Sequence, residues 1–146
     1  MVQALARRER LLAFFVVLFA CLHLFLFLSD AYLRHPPLDI LMHFLGGIWF
    51  GFFFFHFLFD RGRVLTTHPA YEAFVVLGSV AFVCVMWEFH EFAGDLFIRV
   101  PNRIMQTGVR DTMSDLLFGM LGGTIAVILR TYLKWQRHSQ SPEGRS

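Results

Sequence analysis

The stretch EAFVVLGSVAFVCVMWEFHEFA, residues 72–93, decides the fold. It carries no charge between Glu72 and Glu88, and it is close to the roughly 20 residues that cross a bilayer as helix. Three more stretches of the same character surround it, Leu11–Leu28, Leu38–Phe59 and Thr112–Leu133, joined by short gaps with no room for a soluble domain. The composition agrees. Of 146 residues, 56% are hydrophobic and 17% aromatic, too apolar for a soluble domain, which must cover its surface with polar groups. The chain is expected to be all-α, a polytopic membrane protein of four transmembrane helices. Residues 1–137 form one four-helix bundle, and the polar tail 138–146 reads as disordered.

Other classes drop out. Cys21 and Cys84 lie inside apolar spans, where they behave as small hydrophobes rather than a disulfide framework. A net charge of +2, with no basic stretch interleaved with exposed aromatics, argues against nucleic acid. At the N-terminus, Arg7, Arg8 and Arg10 precede an apolar run that ends at Ser29-Asp30-Ala31, a small-x-small triplet of the kind signal peptidase cuts. Cleavable signals have apolar cores of roughly 7–15 residues. The run here is longer, so the segment is read as the first span.

Basic residues set the orientation. Arg7, Arg8, Arg10, Arg61, Arg63, Arg130, Lys134, Arg137 and Arg145 flank the termini and the loop between spans two and three; the other two loops hold Arg34, Arg99, Arg103 and Arg110. Both termini are therefore expected in the cytoplasm. With that orientation Asp39, His43, Glu88, His90, Glu91, Asp111 and Asp115, from three separate spans, fall at one depth near the extracytoplasmic face.

Their spacing puts them on shared helix faces. Asp39 and His43 are i,i+4 neighbours, as are Asp111 and Asp115, and Glu88 and Glu91 are i,i+3. The same faces continue as glycine: Gly47 and Gly51 after His43, and Gly119, Gly122 and Gly123 after Asp115. Glycine lets membrane helices approach closely, so spans two and four are expected to pack tightly with the carboxylates turned inward. Carboxylates with an imidazole suit a divalent cation, although sequence does not say which one. The competing account is a solvated rim: Asp39 and Asp111 as helix-starting residues, and Arg99, Arg103 and Arg110 as ion-pair partners of the acids. Glu88 weighs against it, lying one to two turns inside its span, where ionisable groups are functional by default. A short interfacial helix over Pro101–Val109 would carry Arg103 and Gln106 above the cluster. His23, without a polar neighbour at helical spacing, reads as a hydrogen-bonding residue within the bundle. His56 and His68 lie on the other side, and the Phe52–Phe55 run reads as lipid-facing and packing surface.

Asp39-x3-His43-Phe44, Trp87-Glu88-Phe89-x-Glu91 and Asp111-Thr112-x2-Asp115-Leu116 with Gly119 together resemble the YjdF-like and VanZ-like small membrane proteins, over roughly Leu38–Gly123. The resemblance implies a bacterial inner-membrane protein of the cell envelope, without an assigned activity, whose motif positions are Asp39, His43, Glu88, Glu91, Asp111 and Asp115. The chain is shorter than the usual YjdF-like protein and lacks its extra spans.

Four functions follow from these residues. The leading one is a site for a divalent metal or an envelope lipid headgroup, formed by those six residues with His90, Arg99, Arg103 and Arg110 in support. The second is a metal-dependent enzyme on phosphorylated lipid or isoprenoid, with Asp111 and Asp115 as paired aspartates; no second aspartate-rich motif accompanies them. The third is a structural subunit of a larger membrane complex or homo-oligomer. The fourth is a proton or cation transporter, to which the sequence objects, since below the outer third of the spans only His23 and His56 continue a polar path.

Overall fold

The structure, a computed structural model, describes residues 2–62, 64, 68–97 and 105–140, with the backbone alone for 2–6, 8, 137 and 138. In chain order the elements are α1 (Val2–Leu28), α2 (Ala31–Arg34), α3 (Pro37–Phe54), a π-helical continuation (Phe55–Asp60), α4 (Pro69–Phe97) and α5 (Val109–Ser139). No strand occurs among the described residues. Four helical stretches are long and apolar enough to cross a membrane: Glu9–Leu28, Pro37–Asp60, Pro69–Phe97 and Val109–Gln136. The helices outrun the expected spans because helix propagation does not stop at the hydrocarbon boundary. α1 starts at Val2, and α5 continues through His138 and Ser139, where the polar tail was expected to have begun; residues 141–146 lie outside the described residues.

The chain divides into two compact units, residues 1–42 and residues 43–146. In the first, α1 from Leu11 to Leu28 is apolar on every side apart from His23, as suits a helix long enough to cross a membrane. Asp30, in the left-handed region at φ 55°, turns the chain from α1 into α2. Arg34 donates from its guanidinium to the carbonyls of Asp30 and Ser29. The Nδ1 of His23 is 2.9 Å from the Tyr32 hydroxyl, a hydrogen bond to a residue outside its own helix.

In the second unit, the remainder of α3 and its π-helical end pack with α4 and α5. The face of α4 turned to its neighbours is a stripe at four-residue spacing: Glu72, Val76, Val80, Cys84 and Glu88, all buried. Val76 and Val80 are fully enclosed, with Phe55 and Cys84 completing the core and Leu116, Met120 and Val127 packed around it. Phe55 thus points into the protein, while Trp49, Phe53 and Phe57 stack at 5.3 and 5.6 Å along another side of the same helix.

Lipid is as apolar as these side chains, so burial itself gives the helices little reason to associate, and close packing must do so. Glycine supplies it. A Cβ on Gly47 would overlap the Gly119 carbonyl oxygen, and one on Gly122 would overlap the Phe44 carbonyl oxygen. A Cβ on Gly51 would come within 2.5 Å of the Ala126 methyl. α3 and α5 therefore touch backbone to backbone, and Gly119 and Gly123 rest on Cys84 and Val80 of α4.

Ion pairs close the end of the unit opposite Glu88. Arg130 pairs with Asp60 and lies 5.6 Å above the Phe55 ring. Lys134 Nζ donates to both oxygens of Glu72, at 2.7 and 2.6 Å. His56 Nδ1 stands 3.8 Å from Asp60. The π-helical turn is marked by the Arg61 amide donating five residues back to the His56 carbonyl at 3.1 Å. At 1.5 Å rise per residue, the stripe from Glu72 to Glu88 is about 24 Å long, so the two polar ends are separated by about the thickness of a hydrocarbon core.

Two expectations follow. Gly47→Leu or Gly122→Leu should lower the unfolding midpoint in detergent by an amount equivalent to about 3 kcal/mol, from forced backbone separation, whereas Gly78→Ala, with open space at its Cβ, should leave it unchanged or slightly raised. Arg130→Met should destabilise by about 3 kcal/mol by removing the guanidinium that Asp60 pairs with, and adding Asp60→Asn should recover part of the loss; equal midpoints in the single and double variants would contradict this.

Candidate cation site

The glycine contact between α3 and α5 has polar residues one turn before it on each helix. His43 precedes Gly47 by four residues, and Asp115 precedes Gly119 by four. Residues four apart share a helix face, so helices that touch at the glycines carry His43 and Asp115 toward each other. Glu88 arrives from α4, four residues beyond Cys84, whose sulfur faces Gly119. One ligand atom from each of His43, Glu88 and Asp115 lies within 4.8 Å of the others.

All three are inside the protein. Glu88 is 5% exposed, Asp115 1%, and His43 half-buried. Two carboxylate charges 4.8 Å apart repel by about 3.5 kcal/mol at an effective dielectric of 20. When both are charged that is a large fraction of a small protein's stability, and a cation beside the pair would relieve it. Glu88 is also incompletely engaged. Its Oε2 accepts a hydrogen bond from Gln106 Nε2 at 3.2 Å, while its Oε1 is buried with no hydrogen-bond partner.

Gln106 belongs to a short polar segment seated on the end of α4. The Met105 and Gln106 amides donate to Asp95 Oδ1 and Oδ2 at 2.8 and 2.9 Å. Met105 lies against Gly94, where a Cβ would come within 2.6 Å of its sulfur. Gln106 Nε2 also donates to the Thr112 hydroxyl at 2.9 Å, tying the segment to α5. Residues 105–108 are not helical, which corrects the expectation of a helix reaching Val109; the Asp95 carboxylate takes up the amides that a helix would have bonded internally.

The other expected residues sit as follows. Asp39 is half-buried in the first turn of α3 and belongs to the first unit. Glu91 is buried on α4, its Oε1 accepting from Trp87 Nε1 at 2.9 Å. Asp111 accepts from the Thr107 amide at 3.0 Å at the start of α5. His90 is exposed, with its ring 5.4 Å from that of Trp87, and Arg110 is exposed too. Arg99 and Arg103 lie outside the described residues. Asp95 and Thr112 were not singled out as site residues from sequence. Asp95, one turn beyond Glu91, shares the outer end of its span with the other acids, and Thr112 stands in the Asp111-Thr112-x2-Asp115 motif without a role read for it.

Residues 4–136 match a family described as predicted membrane protein (DUF2238). The chain belongs to that family. An uncharacterized protein of Thermotoga maritima is 34% identical over 84 residues, a match covering 58% of this chain and 42% of that relative. No solved structure matches. This DUF2238 protein thus combines four candidate spans with a half-buried imidazole and two buried carboxylates.

Proposed function

We propose that this protein binds a divalent cation at the extracytoplasmic end of its three-helix unit, through His43, Glu88 and Asp115, in a bacterial inner membrane with both termini in the cytoplasm. The observation that carries the reading is the buried Glu88 carboxylate, with Oε1 lacking a hydrogen-bond partner, within 4.8 Å of an imidazole and a second buried carboxylate. A cation would neutralise the two acids and use the oxygen that no donor reaches. The uneven distribution of basic residues supports the orientation. The motif likeness to YjdF-like and VanZ-like proteins of the cell envelope belongs to the same proposal, as does an envelope lipid as the partner of the bound cation.

The packing favours a resident site over a path. Val80 against Gly123, Cys84 against Gly119, and the fully buried Val76 and Ala126 fill the unit between its polar ends. An ion crossing this bundle would meet about four helical turns of close-packed apolar surface.

Metal content by mass spectrometry tests the reading. The purified wild type should carry close to one equivalent of a divalent metal, and Glu88→Gln and Asp115→Asn should each reduce it at least about tenfold while remaining folded. A folded wild type without metal, which also takes none up on titration, would overturn the proposal.

A further inference from the structure

Resting on the cation reading above, we infer that the site selects a small transition-series cation of the Mn²⁺, Fe²⁺ or Zn²⁺ class over Ca²⁺ and Mg²⁺, and that Gln106, held in place by Asp95, sets this preference.

The donor set is the first argument. Ca²⁺ takes six to eight oxygen ligands and commonly binds a carboxylate through both oxygens, whereas Mg²⁺ keeps several waters. The site offers an imidazole nitrogen, a donor suited to transition metals. It also offers Asp115, which is 1% exposed and leaves little space for a hydration shell.

The second argument is the engagement of Glu88. Gln106 Nε2 occupies Oε2 at 3.2 Å, which leaves Oε1 as the oxygen available to a metal. Gln106 thereby competes for Oε2, so a cation that grips Glu88 through both oxygens, as Ca²⁺ commonly does, would have to share or displace that hydrogen bond.

Gln106 holds that position because its backbone is fixed. Asp95 accepts the Met105 and Gln106 amides, one on each oxygen, and the Gln106 amide nitrogen is shared between Glu88 and Thr112. Asp95 and Gln106 touch no ligand atom of the triad other than through Glu88, so both are positioning residues. Outer partners of this kind alter metal binding by about 10- to 100-fold when removed, because they orient the ligand that touches the metal.

The test uses the full chain in detergent, stripped with chelator and equilibrated with Mn²⁺, alone and against about a hundredfold excess of Ca²⁺ or Mg²⁺. Bound metal is counted by mass spectrometry, and imidazole ligation is read from nitrogen hyperfine coupling to Mn²⁺. Wild type should keep Mn²⁺ under both competitors and show a nitrogen coupling that His43→Gln abolishes. Gln106→Leu should lower the Mn²⁺-over-Ca²⁺ preference roughly tenfold in protein that remains folded. Asp95→Asn should act in the same direction less strongly, and it carries the test if Gln106→Leu does not fold. A wild type that binds none of these cations overturns the cation reading itself. A wild type that binds Mn²⁺ but yields it to Ca²⁺ or Mg²⁺, or variants that keep the wild-type preference, overturn this inference and leave the site standing.

Discussion

Contact between the backbones of α3 and α5 governs the arrangement of the second unit. In a bilayer, apolar side chains gain little by leaving lipid for one another, and helices are held by the closeness of their packing. Gly47 against Gly119, and Gly122 against the Phe44 carbonyl, place backbone on backbone, and Gly51 faces no more than the Ala126 methyl. The interhelical register is then fixed, because a shift along the axis would bring a Cβ into the gap. His43 and Asp115 each sit one turn from these glycines, so their meeting follows from the register. A loosely packed pair of helices would let the two polar groups separate toward water.

The third helix supplies a measured spacing. Glu72, Val76, Val80, Cys84 and Glu88 repeat at four-residue intervals on the buried face of α4, with an acid at each end and none between. The two acids meet different fates. Glu72 is met by Lys134, a full cation on a flexible stem, and the adjacent Asp60 by Arg130. Glu88 is met by a neutral amide and otherwise faces a second acid and an imidazole. Among the described residues Glu88 has no Lys or Arg beside it, and this difference from Glu72 is the reason for reading that end as a candidate binding site.

The segment that covers the site shows how irregular backbone is accommodated at the edge of an apolar protein. Amides at Met105 and Gln106 outside a helix need acceptors, and Asp95 provides one oxygen for each. A residue engaged in this way fixes the backbone from which Gln106 reaches both Glu88 and Thr112. Asp95 thus acts at a distance from the triad, through hydrogen bonds that also satisfy the chain.

The sequence by itself determined the class of the fold, because apolar runs of bilayer length have few alternatives, and helices satisfy their backbone without partners. It also determined which residues share a depth, since depth follows from position along a span, and which share a face, since that follows from the helical period. Glu88 stood out for this reason, as an acid inside a span. What only the tertiary structure decided is which of the polar residues meet. His43, Glu88 and Asp115 converge because glycine contacts set the rotation of α3 and α5 against α4; Glu91, which accepts from Trp87, also comes within 4.8 Å of His43, while His90 is exposed. The pairing of Asp60 with Arg130 and of Glu72 with Lys134, and the reach of Gln106 to Glu88, join residues distant in the chain. No periodicity encodes such contacts; they depend on the relative rotation of helices and on the course of one short segment.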